Sequence, residues 1–209
     1  MKLFIFAALL VISFSTKAQS PLSSVTIGNQ EWTSKNLDVS TYRNGDVIPQ
    51  VTNPKAWAAL TTGAWCWYNN DSTKYAATYG KLYNWYAVND PRGLSPVGWH
   101  IPTDEEWTTL TDQLGALSVA GGAMKEMGTA HWKAPNTDAT NSSGFTGLPG
   151  GGRFYNGPFG DVGYFGNWWS ASESNTTFAW SRYLNYFVAD ASRIAGSKAF
   201  GSSVRCVRD

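Results

Sequence analysis

One stretch of this chain, GWHIPTDEEWTTLTDQLG at residues 98–115, is patterned as a helix, and nothing after residue 128 repeats that pattern. Thr103 and Glu106 have the T-x-x-E spacing of a capping box, and Trp107, Leu110 and Leu114 fall on one helical face. Asp104 and Glu105 suit the positive end of that helix, and Gly115 suits its stop. From residue 128 onward, NSSGFTGLPGGGRFYNG, GNWWSASE, FAWSRYLNY and SSVRCVRD read as short strands joined by Gly, Asn and Ser turns. Upstream, Gly28-Asn29 predicts a hairpin and Asn44-Gly45 a second turn. In GAWCWYNNDS the alternation puts Trp65 and Trp67 on one face of a strand and Cys66 on the other, with Asn69-Asn70-Asp71 as the turn that ends it. In YGKLYNWYAV, Tyr79, Leu82, Tyr83 and Tyr86 are spaced as one apolar helical stripe, which predicts a second helix. Two helices in front of a strand-rich half, with no linker and no repeat between them, predict a single α+β domain.

The first twenty residues, MKLFIFAALLVISFSTKAQS, join a positive Lys2 to an apolar run from Leu3 to Phe14 and the small-x-small triplet Thr16-Lys17-Ala18. The run is well short of the ~20 residues a membrane helix needs, and the pattern is that of a secretory signal. Cleavage after Ala18 leaves residues 19–209 as one exported domain, placed in the periplasm, at the cell surface or outside the cell. No cysteine follows the cleavage site, so a lipoprotein anchor is not expected, and no later stretch predicts membrane insertion. Of 16 basic and 15 acidic residues, removing Lys2 and Lys17 leaves 14 against 15. A formal charge of −1 argues against nucleic acid or anionic lipid as a main partner. The 11 Trp, 10 Tyr and 10 Phe supply both core volume and recognition surface, while 21 Gly imply many turns. Export also bears on the two cysteines. A Cys66–Cys206 disulfide is favoured over two free thiols or a metal pair, because neither a CxxC spacing nor a neighbouring His is present. Such a clasp is worth about 2–4 kcal/mol.

Little here suggests catalysis. No G-x-S-x-G, HExxH or Walker pattern occurs. His100, between Trp99 and Ile101, reads as a packing or hydrogen-bonding residue, and His131 has no motif around it. Asp104, Glu105 and Glu106 are accounted for by capping, and Asp161, Glu173 and Asp190 lack the facing partner that glycoside hydrolysis needs. LPGGGR lacks the Lys-Ser/Thr ending of a phosphate loop, so Gly150–Gly152 predict a close backbone crossing and Arg153 a structural partner. Trp168 and Trp169 point to opposite faces of a strand, one into the core and the other nearer the surface, where it is a candidate for stacking on a sugar ring.

GWHIPTDEEWTTL, GFTGLPGGGR, WWSASE and the closing SVRCVRD, in that order, resemble the Fibrobacter succinogenes major paralogous domain, a family of exported bacterial domains abundant in Bacteroidetes. The resemblance spans Val25 to Asp209. It implies a C-type lectin-like fold related to the formylglycine-generating sulfatase-modifying enzymes: two helices flanking small antiparallel sheets, ends brought together, and a long irregular loop region exposing the ligand surface. A cysteine near the last strand paired to a much earlier one suits that plan. Calcium-dependent lectins carry E-P-N or Q-P-D and a later W-N-D. This chain has Ala134-Pro135-Asn136 and no W-N-D, so neither calcium nor any other metal or cofactor is expected. The segment from Ala179 also resembles the ends of variable proteins diversified by retroelements. By that analogy Tyr183, Asn185, Phe187, Asp190, Ser192 and Ile194 face a ligand, with Trp180, Leu184 and Val204 inside. The resulting expectation is a non-catalytic exported recognition domain that binds a glycan or a cell-surface protein through its C-terminal loop surface. The alternative is a structural or assembly module of the cell envelope with no free ligand.

Overall fold

A computed structural model describes residues 22–209; the predicted signal peptide lies outside the described residues. The Gly28-Asn29 turn joins β1 (Ser24–Ile27) to β2 (Gln30–Thr33), with Ile27 opposite Gln30. The Asn44-Gly45 turn forms as well, Gly45 N donating to Tyr42 O at 2.9 Å. A single helical turn, α1 (Pro54–Ala58), is capped by Asn53. It is followed by β3 (Trp65–Cys66), where the Trp65 and Trp67 rings meet edge to face at 5.3 Å.

The helix expected over the Tyr79–Tyr86 stripe is broken into pieces. Helix α2 (Ser72–Tyr79) lies earlier, started by Asp71, whose side chain accepts from Lys74 N, and stopped at Gly80. The chain then extends as β4 (Leu82–Tyr83), pairing with β3, and turns once more as α3 (Trp85–Val88), capped by Asn84. Tyr79, Leu82 and Tyr83 are buried and Tyr86 half-buried, so the stripe marked burial at three of its four positions while the two Asx caps decided where helix begins.

After β5 (Trp99–His100) comes α4 (Asp104–Gln113), with the capping box in place: Glu106 N donates to Thr103 Oγ1 at 3.2 Å and Thr103 N to Glu106 Oε2 at 2.7 Å. A further helix, α5 (Leu117–Met124), was not foreseen, because Gly121 and Gly122 weaken its pattern. Those glycines have a packing reason. Gly122 N donates to Ala189 O at 3.0 Å, and a methyl group on Gly121 would run into the Asp190 carbonyl.

The back half is strand-rich, as predicted. Strands β6 (Gly150–Arg153), β7 (Phe159–Val162), β8 (Phe165–Glu173), β9 (Phe178–Asn185) and β10 (Ala191–Ser197) form a sheet in the order β10-β9-β8-β6-β7. Only its β6–β8 contact is parallel. The glycines of β6 do allow a close crossing: a Cβ on Gly152 would sit 2.5 Å from the Phe200 ring. The last strand, β11 (Val207–Arg208), lies between β2 and β5, with Val207 opposite both Trp32 and His100. The fold is thus α+β, built from small and mostly antiparallel sheets.

The core divides into three aromatic clusters. Trp65, Tyr83, Trp85, Trp99 and Trp169 form one with Cys206; Trp32, Trp107, Trp132, Phe145 and Trp168 form another; Trp57, Tyr68, Tyr75 and Tyr79 form the third with Cys66. Two expectations need correction here. Trp168 and Trp169 do point to opposite faces, but each enters a different cluster at 0% exposure, so neither reaches a ligand. Their indole N–H groups are also engaged, Trp168 with Asn36 Oδ1 and Trp169 with Tyr83 O, both at 2.8 Å. The Cys66–Cys206 clasp is not formed, and both cysteines are free and buried. Alternation along β3 is the reason: Trp65 faces the cluster that holds Cys206, which turns Cys66 into the other cluster.

Burial pushes both thiols up to about 12, leaving almost no thiolate at neutral pH. In the native protein under non-reducing conditions, a thiol reagent should therefore label neither cysteine, and in denaturant it should label both. A denatured mass 2 Da short of the reduced chain, the two hydrogens lost in a disulfide, with no label taken up, would restore the clasp.

Candidate functional site

Six residues in the C-terminal segment were expected to face a ligand, and four of them meet. Tyr183, Asp190, Ser192 and Ile194 line a shallow groove of about 620 Å³ together with Leu117 and Val188. The register explains the grouping. Ser192 pairs with Tyr183 across β9 and β10, and Ile194 is two residues further along the same face. The start of α5 supplies Leu117 as the opposite wall. Strand β10 is an edge of its sheet, and Ile194 is 39% exposed. Within the groove, Asp190 Oδ2 accepts from Ser192 Oγ, while its Oδ1 is buried without a protein donor.

Asn185 and Phe187 do not join the groove. Asn185 Oδ1 accepts from Phe187 N at 2.9 Å and so holds the turn after β9. Phe187 stands at the loop tip, 62% exposed, with its ring 5.8 Å from that of Tyr186. Leu184 and Val204 are buried as expected. Trp180 is only half-buried; it lies under the Arg193 guanidinium, 3.3 Å from the ring centroid.

The arginines of these two strands, of which Arg193 also reaches the groove, are held by charge. Arg182 and Arg193 are cross-strand partners and converge on Asp104, at 2.6 Å from Arg182 Nη1 and 2.9 Å from Arg193 Nε. Burial acts to raise the Asp104 pKa, but the hydrogen bonds and charges of Arg193 and Arg182 outweigh it and bring it below the usual value. Sequence reasoning had given Asp104 only a place at a helix end. Its partners lie 78 and 89 residues away, beyond the reach of any local pattern.

A residue that sequence reasoning passed over holds the groove's loop in shape. Lys125, fully buried at the end of α5, donates to the carbonyls of Thr137 and Val188 at 2.7 Å and of Asn185 at 3.0 Å. One ammonium thereby ties residues 137, 185 and 188 together. Burial pulls its pKa down to about 8, opposed by Asp138 and Asp190, so it is charged at neutral pH. A lone Lys after an Ala-Gly-Gly run carries no sequence signal for this role.

The two histidines are both hydrogen-bonded to carboxylates. His131 Nδ1 meets Glu126 Oε2 at 2.8 Å. His100, expected as a packing or hydrogen-bonding residue, bridges Glu106 at 2.7 Å and Asp209 at 2.9 Å, joining β5 and the capping box to the residue after β11. Among the described residues, no group of three or more His, Cys, Asp or Glu is arranged to hold a metal ion. No helix among them is long and apolar enough to cross a membrane.

The family model of the Fibrobacter succinogenes major domain matches residues 25–208. The chain belongs to that family. No curated protein matches it. The match runs from β1 to β11, so every sheet and the groove belong to the family domain.

Burial acts to lower the His100 pKa, but the hydrogen bonds its ring donates to Asp209 and Glu106 prevail and raise it. A raised His pKa contributes stability that is complete below the unfolded value, about 6.5, and is lost as pH rises through the folded value. Urea unfolding of the protein and of His100→Gln should show a gap in stability near pH 6 that closes by pH 9. A gap that is constant or grows with pH would contradict this. Gly121→Ala should cost about 1–3 kcal/mol through overpacking against Asp190, read in the same urea titrations.

Proposed function

We propose that this family domain is a non-catalytic, exported recognition module of C-type lectin-like fold that binds a glycan or a cell-surface protein through its C-terminal groove. The observation that carries the reading is the meeting of Tyr183, Asp190, Ser192 and Ile194 in one open groove beside Leu117 and Val188. Its chemistry suits recognition: apolar walls from Leu117, Val188 and Ile194, the hydroxyl groups of Tyr183 and Ser192, and the Arg193 side chain at the rim. A ligand that offers an apolar face and a hydroxyl or amine donor matches these features. The loop that carries these groups is held by Lys125 and by Gly121–Gly122 against α5, so part of the ordering cost is met before binding. The lectin-like assignment draws support from the sheet shared by β1, β2, β11 and β5, the helices set beside small sheets, and the long irregular stretch between α5 and β6.

A second reading, an assembly module of the cell envelope, draws on β10 as a sheet edge. Edge strands with free backbone groups can pair with another chain.

Binding of the purified protein to a broad glycan array, with calcium and with chelator, tests the first reading. A specific signal should appear, persist in chelator, and be lost in Tyr183→Ala and Ile194→Asp variants that keep the native circular dichroism spectrum. A blank array together with self-association in sedimentation would favour the assembly module instead. A signal abolished only by chelator would overturn the metal-free account of the groove.

A further inference from the structure

A cleft distinct from the groove lies between α2 and the segment after β2, and none of its lining residues is shared with the groove. Its volume, about 640 Å³, falls within the ~300–1,000 Å³ of small-molecule sites. One wall is the small-residue face Ala76-Ala77-Thr78; the others carry Lys35, His131 and Arg205.

The charges of this cleft do not balance internally. Its one acidic lining residue, Asp38, is held by Lys81 at 2.5 Å. Glu126 is occupied by His131 Nδ1, which leaves His131 Nε2 without a protein partner among the described residues. Lys35 is exposed and unpaired among the same residues. Arg205 is 1% exposed and has no carboxylate partner among them. Its guanidinium donates to Asn36 Oδ1 at 2.8 Å, Thr33 O at 2.6 Å and Thr146 O at 3.1 Å. Three of its five N–H groups are thereby used, all on neutral oxygens. Burial pulls the Arg205 pKa down to about 9, the mark of a cation whose charge is not offset. Arg153 is equally buried and likewise bound to carbonyls, yet it lines no part of this cleft. Arg205 differs in standing beneath an open site with Lys35 and His131 at its walls.

We propose that this cleft is a binding site for a carboxylate carried on a small hydroxylated molecule, such as a sugar acid. Lys35 and, in its imidazolium form, His131 Nε2 contact the carboxylate directly, and Arg205 supplies positive potential from below. Ser34, Thr78 and Thr146 line the cleft with hydroxyl groups suited to a polyol body. The site does not depend on the groove reading.

The test is an NMR titration of the purified protein with D-glucuronate, with D-glucose as the neutral counterpart and acetate as the bare carboxylate. Glucuronate should give saturable shifts at the amides of Lys35, Ala76, Ala77 and Thr146, weakened by added salt, while glucose should give none. The double variant Lys35→Ala/His131→Gln, which leaves the buried Arg205 network alone, should weaken glucuronate about tenfold, as expected for losing charge-assisted hydrogen bonds. Tyr183→Ala in the groove should leave it unchanged, which separates failure here from failure of the groove. Acetate binding as tightly as glucuronate would support the anion site and assign its affinity to the carboxylate alone. Absence of glucuronate binding, equal binding of glucose, or full affinity in the double variant would overturn the proposal.

Discussion

Buried cations binding backbone carbonyls hold the irregular parts of this molecule. Among the described residues six basic side chains are buried: Lys81, Lys125, Arg153, Arg182, Lys198 and Arg205. Three of them, Lys125, Arg153 and Arg205, bond to neutral oxygens, almost all main-chain carbonyls. Most strands here are two to four residues long, so many carbonyls have no sheet partner to satisfy them. A guanidinium offers five donors and an ammonium three, enough to join loops distant in sequence at one point. Arg205 links Thr33, Asn36 and Thr146; Arg153 links residues 51–52 to Gly157. Aromatic rings complete the enclosure, with Arg153 over Trp57 and Arg205 over Phe145, each at 4.5 Å. Burying charge in this way is costly unless every donor finds geometry of this kind. The ordering of the loops therefore depends on a few residues rather than on long ladders.

The legible parts of the structure were those with a local cause. The capping box of α4, the Gly28-Asn29 hairpin, the strand-rich back half and the family itself all follow from residues adjacent or a few positions apart. The Tyr79–Tyr86 stripe misled because burial was its cause and helix was not: Asp71 and Asn84, as caps, placed the helices elsewhere. Helix α5 was hidden by glycines whose purpose is contact with residues 189–190. For the cysteines, an argument from compartment outweighed one from alternation, although the β3 pattern already set Cys66 and Trp65 on opposite faces. The candidate site was legible in part through the resemblance of the C-terminal segment, and the β9–β10 register then places Tyr183, Ser192 and Ile194 on one face. Lys125, Arg205 and the Asp104 pair with Arg182 and Arg193 are long-range, and no local pattern points to them.

Strand β8 organises the two halves of the core. Trp168 and Trp169 drive their indoles into separate clusters on its two faces, so the strand is a shared wall. Mutating either indole is felt on one side first. The groove lies at the β10 edge of this sheet, and the cleft is lined by α2 and the segment following β2. The groove and the cleft share no lining residue, so the side chains of one can change without altering those of the other.

The position of β11 has a consequence for how this protein comes into being. Val207 sits between Trp32 and His100, joining the first hairpin to β5, and Arg205, Cys206 and Val204 fill the space beside it. Contacts of that kind span nearly the whole family domain, and such long loops close slowly. Neither of the two larger sheets' neighbouring clusters is complete until residues 204–208 arrive. The last strand of the domain is therefore the closing wall of both clusters, and neither can pack completely without it.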